Sequence, residues 1–146
     1  MLEHNLDELD TWCALQMARL SPVALRRLQR DIGYHLREQN RKRIKAQTGA
    51  DGQRWAPRKP DTGDGKGKMY KKLKQNKHLK IRHTTNGLRV GWFNRVGRIA
   101  RTHHYGLREE LKHGVAEYPA RPLLGITAAD KAGVQEIILR HLSEAP

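Results

Sequence analysis

His103 and His104 stand side by side in "ARTHHYG", and histidine is the side chain best suited to hold a metal or move a proton near neutral pH. Adjacent residues point different ways on a helix or a strand, so these two do not converge on one ion. His78 and His83 lie in or beside a stretch, Lys66 to Arg82, whose charged residues are all positive. That charge opposes a dication. No His-x-x-x-His pair has a carboxylate beside it, and Cys13 is the only cysteine, so neither a zinc spacing nor an intrachain disulfide is present. The histidines read as structural or surface residues, and no metal or other cofactor is expected.

Nucleophiles fare no better. Ser21 precedes a proline in "LSP" and is best used as a helix cap, while Ser143 lies three residues from the end of the chain. Glu109 and Glu110 are neighbours in a polar excursion, not a pair facing across a cleft. "GDGKGK" has the composition of a phosphate loop but lacks its spacing and its Ser or Thr. No active site is legible, and a non-enzyme with no small-molecule substrate is expected. Cys13 reads as a small apolar residue on a helix.

Positive charge is what the chain has in abundance. Among 146 residues, 29 Lys plus Arg oppose 15 Asp plus Glu, for a net charge of +14 and a pI near 10.4. Such a surplus attracts polyanions or an acidic protein surface. Aromatic content is 5%, too sparse for a base-stacking platform, so any nucleic-acid contact should be with phosphate and without sequence preference. The N-terminal "MLEHNLDELD" is acidic and is no signal peptide, which points to use in the cytosol. No apolar window approaches the roughly 18 residues of a membrane span.

These residues need elements to position them. Leu6, Leu9, Trp12 or Cys13, and Leu20 are spaced for a first helix, with acids early where the helix dipole favours them. A second helix starts at Ser21 and Pro22. Leu25, Leu28, Ile32, Leu36 and Ile44 form its apolar stripe, Asn40 interrupts it, and Gly49 and Gly52 are its stop signals. Its other face carries Arg26, Arg27, Arg30, Arg37, Arg41, Lys42, Arg43 and Lys45. Residues 51–68 read as a long loop, with Trp55 as an anchor onto the core. Met69, Tyr70, Leu73 and Leu79 suggest a short amphipathic turn. "LKIRHTTNGLRVGWF" reads as a β-hairpin turning at Asn86-Gly87. "RVGRIARTHHYGL" fits a short helix stopped at Gly106 or a strand, and residues 107–116 a polar excursion. Thr127 and Asp130 resemble a capping box ahead of a helix with Val134, Ile137, Ile138 and Leu142 on one face. The expected class is α+β in a single domain. Its parts are a variable helix (1–20), a basic helix (21–48), a long basic loop (49–78), a sheet-bearing region (79–126) and a C-terminal helix (127–146).

Three stretches in order, "DGQRWAPRKP", "RIARTHHYGL" and "YPARPLLGIT", resemble the tail completion, or virion morphogenesis, family of contractile-tailed phages and R-type tail-like bacteriocins. The likeness runs through Asp51, Gly52, Trp55 and Pro57, then Ala100, His103, Tyr105 and Gly106, then Pro119, Arg121, Leu123 and Leu124. It covers about residues 21–142. It implies a structural virion protein that caps the head-proximal end of a tail, at its tube or sheath, as a homo-oligomeric ring commonly of six copies, and prepares it for head joining. It places the protein in the host cytoplasm during assembly and then in the virion, with the tube or sheath protein, or both, as partner. The charge adds threaded DNA or an acidic head-connector protein as a candidate neighbour, and no membrane partner is expected. By the same resemblance, Trp55, Pro57, His103, Tyr105, Gly106, Pro119, Arg121, Pro122, Leu123 and Leu124 are interface residues. Arg121 sits between two prolines that stiffen its segment, which suits a docking anchor and an internal clasp equally. Arg37, Arg41, Lys42, Arg43, Lys45, Lys71, Lys72, Lys74 and Lys77 are the expected contacts for an anionic partner. The rival expectation is a monomeric, non-specific nucleic-acid-binding protein.

Overall fold

Four helices and two separate antiparallel hairpins make up the α+β fold in a computed structural model that describes residues 2–58, 68–85 and 87–144. The side chains of residues 2–6, 16 and 17 lie outside that description, as do Asn86 and most of the "GDGKGK" stretch. The order is α1 (Leu2–Met17), α2 (Pro22–Ala46), β1 (Lys80–Thr84), β2 (Gly87–Gly91), α3 (Asn94–Tyr105), β3 (Arg108–Leu111), β4 (Gly114–Glu117) and α4 (Ala128–Glu144).

α2 is the spine. The Ser21 hydroxyl accepts the Ala24 N–H at 3.2 Å, and Pro22 occupies the first turn, where its missing N–H costs nothing. Leu28 and Ile44 are both fully buried, roughly 24 Å apart along the helix axis. Each belongs to its own apolar cluster. Around Leu28, α1 and α4 meet α2 through Trp12, Cys13, Ile32, Val134, Ile138 and Leu142. Burial raises the Cys13 thiol pKa, and Asp10 adds to the effect. That keeps Cys13 an unreactive apolar filler. Around Ile44, by contrast, Trp55, Leu73, Ala100 and Leu123 arrive from four different chain segments.

α2 does not stop on a glycine. Its left-handed cap is Gln47, at φ 60°, ahead of Gly49 and Gly52. The Gln47 side chain explains the exception. Its amide donates to Ile44 O at 2.7 Å and Met69 O at 3.0 Å, and its Oε1 accepts the Met69 N–H at 2.8 Å. Three side-chain bonds offset the left-handed penalty and tie residues 68–79 to the helix end. Leu73 and Leu79 are buried there as the amphipathic spacing predicts. α1 also ends earlier than its leucine spacing suggests, at Met17, leaving Leu20 to pack from the turn.

β1 pairs with β2 in the register Lys80↔Gly91 to Thr84↔Gly87, so Gly87 already belongs to the strand, while Asn86, the other expected turn residue, lies outside the described residues. Trp92 and Phe93 have left the strand, and Trp92 Nε1 donates to Leu73 O at 2.7 Å. The hairpin lies on α2 at Gly33, where an added Cβ would stand 3.0 Å from Ile81 Cγ2. Residues 94–105 are helical, which resolves the choice between helix and strand. Residues 107–116 are not a structureless excursion: β3 pairs with β4 from Arg108↔Glu117 to Leu111↔Gly114. Alternating charged and apolar residues are too few there to announce a strand.

Gly106 ends α3 at φ 66°. A Cβ at this position would lie 2.5 Å from Ala120 N and 2.8 Å from Ala120 Cα. Gly106→Ala therefore combines left-handed strain with a backbone clash, and thermal unfolding should register a loss of about 2 kcal/mol.

Candidate assembly interface

Trp55, Pro57, Ala100, His103, Arg121 and Leu123, among the residues that carry the family resemblance, gather at the Ile44 end of α2. Arg121 is 7% exposed. Its Nε donates to Ala56 O at 2.9 Å, Nη2 to Pro57 O at 3.0 Å and Nη1 to Tyr70 Oη at 3.2 Å. Its own backbone N–H donates to His103 O at 2.9 Å. Trp55, 8% exposed, returns the connection by donating from Nε1 to Pro122 O at 3.1 Å. Three segments far apart in sequence are thus stapled by one guanidinium and one indole. The planar fork of arginine suits this bridging, because several fixed donors meet several carbonyls at once. Of the two readings of Arg121, the geometry is that of the internal clasp.

Aromatic rings extend the clasp. Trp55 meets Tyr70 edge-on at 5.5 Å, Tyr70 lies 5.1 Å from His103, and His103 lies 4.6 Å from Tyr118. Burial pushes the His103 pKa down, and the Arg121 charge pushes it further. His104 Nδ1 accepts the Leu123 N–H at 3.0 Å, and burial lowers its pKa as well. Both imidazoles are neutral at pH 7. Since their folded pKa values lie below the unfolded value of about 6.5, the unfolded chain binds protons first as pH falls. Stability should accordingly drop from about pH 6.5 downward. Denaturant midpoints measured from pH 8 to pH 5 test this, and His104→Gln should flatten the decline.

The interface set divides sharply. Trp55, Arg121 and Leu123 are buried, Pro57 and Pro122 serve through their carbonyls, and Gly106 makes room for the 118–120 backbone. Pro119 is half-buried. Apart from Pro57, which is exposed, these residues shape a surface and do not themselves present it. Tyr105, 62% exposed, and the half-buried Leu124 face outward, into a groove.

The cationic residues also divide. Lys42, Lys45, Lys71, Lys72 and Lys77 are exposed, and Lys74 is half-buried. Arg37 lies over the Tyr34 ring at 5.3 Å. Arg41 reaches Asn76 Oδ1 at 3.4 Å, which brings the end of α2 and residues 71–77 into one positive surface. Arg26, Arg27, Arg30 and His83 line a second positive groove nearer the start of α2. Arg43 does not belong with them. Its Nη2 pairs with Asp130 Oδ2 at 2.9 Å and donates to Gly125 O at 2.8 Å, inside the molecule. By residue type it reads as one of the cations on the face opposite the stripe, yet it lies seven residues after Leu36, in phase with the apolar stripe. That phase was the available signal. Nearby Asn40, 4% exposed, donates to Leu36 O and accepts the Gly125 N–H at 2.9 Å, so the break in the stripe is a fastening point.

Residues 5–143 match the Phage virion morphogenesis family. The chain is also 39% identical over 131 residues to "Tail completion protein S" of Escherichia phage P2, spanning 84% of this chain and 87% of that protein. No solved structure matches it. A family match across nearly the whole sequence, with a relative 39% identical over most of both chains, leaves a single conclusion: the chain belongs to the phage virion morphogenesis family.

Proposed function

We propose that this protein completes the head-proximal end of a phage-type contractile tail, capping the tube or sheath as a ring of copies and preparing it for head joining, without catalysis. The supporting observation is the near end-to-end likeness to a phage P2 protein named for tail completion. A subunit that terminates a polymer needs surfaces of fixed shape, because little conformational entropy then remains to be lost on docking. The Arg121 clasp supplies such rigidity to the 118–124 segment. Six copies of a +14 chain carry about +84, a field that calls for an anionic neighbour. The surface formed by Arg37, Arg41, Lys42, Lys45, Lys71, Lys72, Lys74 and Lys77 faces it, whether that neighbour is threaded DNA or an acidic tail or head-connector protein.

Electron microscopy of tails assembled without the protein is the test. Overlong or ragged tails that do not join heads support the reading, and normal tails refute it. Capping that is equally efficient at low and high ionic strength would remove the anionic neighbour from the account. The same cations favour the rival reading, a monomeric non-specific nucleic-acid binder. Light scattering separates the two, since that binder stays monomeric while shifting DNA in gels.

A further inference from the structure

Among the described residues, the β3–β4 hairpin stands apart from the other named elements. Its two strands pair with each other, and no other named element packs substantially against them. All of its strand residues except Ala116 are exposed, including Leu111 at 53% and Val115 at 47%. A lone two-stranded hairpin is marginal in water, since its ladder bonds barely offset the entropy of ordering it. It also carries Glu109, Glu110 and Glu117, which outnumber its Arg108 and Lys112 and give it a slight negative balance on a strongly positive chain.

A complementary surface lies on the same molecule. A groove of about 680 Å³ has an apolar wall that includes Leu88, Val90, Ala100, Leu124 and Ile126, with the exposed Arg89 and Arg101 beside it. Consecutive residues from Leu88 to Gly91 all line this groove. Side chains alternate between faces along a strand, so the groove follows the edge of β2 rather than one face. β2 pairs with β1 alone, and among the described residues its backbone makes no hydrogen bond outside that ladder. Its outer edge therefore offers unpaired N–H and C=O groups to a further strand.

We propose that the hairpin of one copy seats in the β2-edge groove of a second copy. It extends the β1–β2 sheet, buries Leu111, and sets Glu109 and Glu110, on opposite faces of the added strand, against Arg101 and Arg89. Copies with a large like charge repel at long range, so contact belongs where the sign reverses locally. The inference rests on the ring reading and supplies its subunit contact. A contact between two different patches repeats from copy to copy until it closes.

Charge reversal on the full-length protein tests the pairing. Wild type should self-associate with rising concentration in sedimentation or light scattering. Glu109→Arg with Glu110→Arg, and separately Arg89→Glu with Arg101→Glu, should each weaken association at least tenfold, with circular dichroism and melting unchanged because all four residues are exposed. Mixing the two reversed proteins should restore association, since each then offers the other a complementary patch. Leu111→Lys provides an independent disruption of the apolar contact. A wild type that stays monomeric, or reversed proteins that associate as wild type does, overturns the contact. Tail capping is scored separately: a variant that stays monomeric yet caps tails refutes this contact and leaves capping intact, whereas normal tails in the protein's absence refute capping itself.

Discussion

Asp130→Ala is expected to destabilise the protein by about 3–5 kcal/mol, the typical consequence of leaving one member of a buried ion pair alone. At this chain length that corresponds to a melting temperature lowered by about 10 °C or more. Asp130 is 2% exposed and does two jobs. Its Oδ2 accepts the Thr127 N–H at 3.0 Å while Thr127 Oγ1 accepts the Asp130 N–H at 3.0 Å, a reciprocal box that starts α4. The same oxygen neutralises Arg43, whose side chain is 16% exposed. Removing the carboxylate strands the guanidinium between α2 and the 125–130 segment. Adding Arg43→Met to Asp130→Ala should recover at least about 1 kcal/mol, because the two changes are coupled through one contact. A double variant no better than the single one would assign the loss to helix capping alone. Burial pushes the Asp130 pKa up, but the bonds from Arg43 and Thr127 outweigh it and hold the carboxyl below its ordinary value. That stability is present at neutral pH and is lost as pH falls below about 4.

Arg121→Ala is the second large effect, a loss of about 3 kcal/mol. It removes three charge-assisted hydrogen bonds and unfastens Ala56, Pro57 and Tyr70 from the 118–124 segment. Arg121→Lys keeps the charge but cannot serve all three acceptors, so an intermediate loss is expected. Calorimetry measures both. The tail-capping defect of Arg121→Ala should follow its thermal instability and diminish on cooling. A variant that melts with wild type yet fails to cap tails would return Arg121 to the docking surface.

Much of the fold could be read locally. The Ser21-Pro22 start of α2, the Thr127–Asp130 box and the apolar stripe of α4 each depend on residues within two or three turns, where spacing alone carries the signal. Trp55 as a loop anchor was legible for a similar reason: a lone large aromatic in a Gly- and Pro-rich loop has few other uses. The end of α2 was harder. Gln47 adopts a conformation that glycine normally takes, and it does so because Met69, in another segment, supplies its partners. The β3–β4 hairpin leaves no trace in the sequence because almost nothing in it is buried, and without a buried face no alternation arises.

By itself, the sequence determined α1, α2 and α4 with the N-terminal caps of α2 and α4, the strong positive charge, the absence of a recognisable catalytic constellation, and the family. Those properties follow from composition or from neighbours along the chain. Only the tertiary structure decided which cations are free. Arg43 and Arg121 look like any other arginine in one dimension, but each meets acceptors brought by a distant segment and is withdrawn from the surface. The cost of burying a charge without partners makes such pairings obligatory once the segments meet. Which segments meet is settled by packing around Ile44, and no local pattern records it.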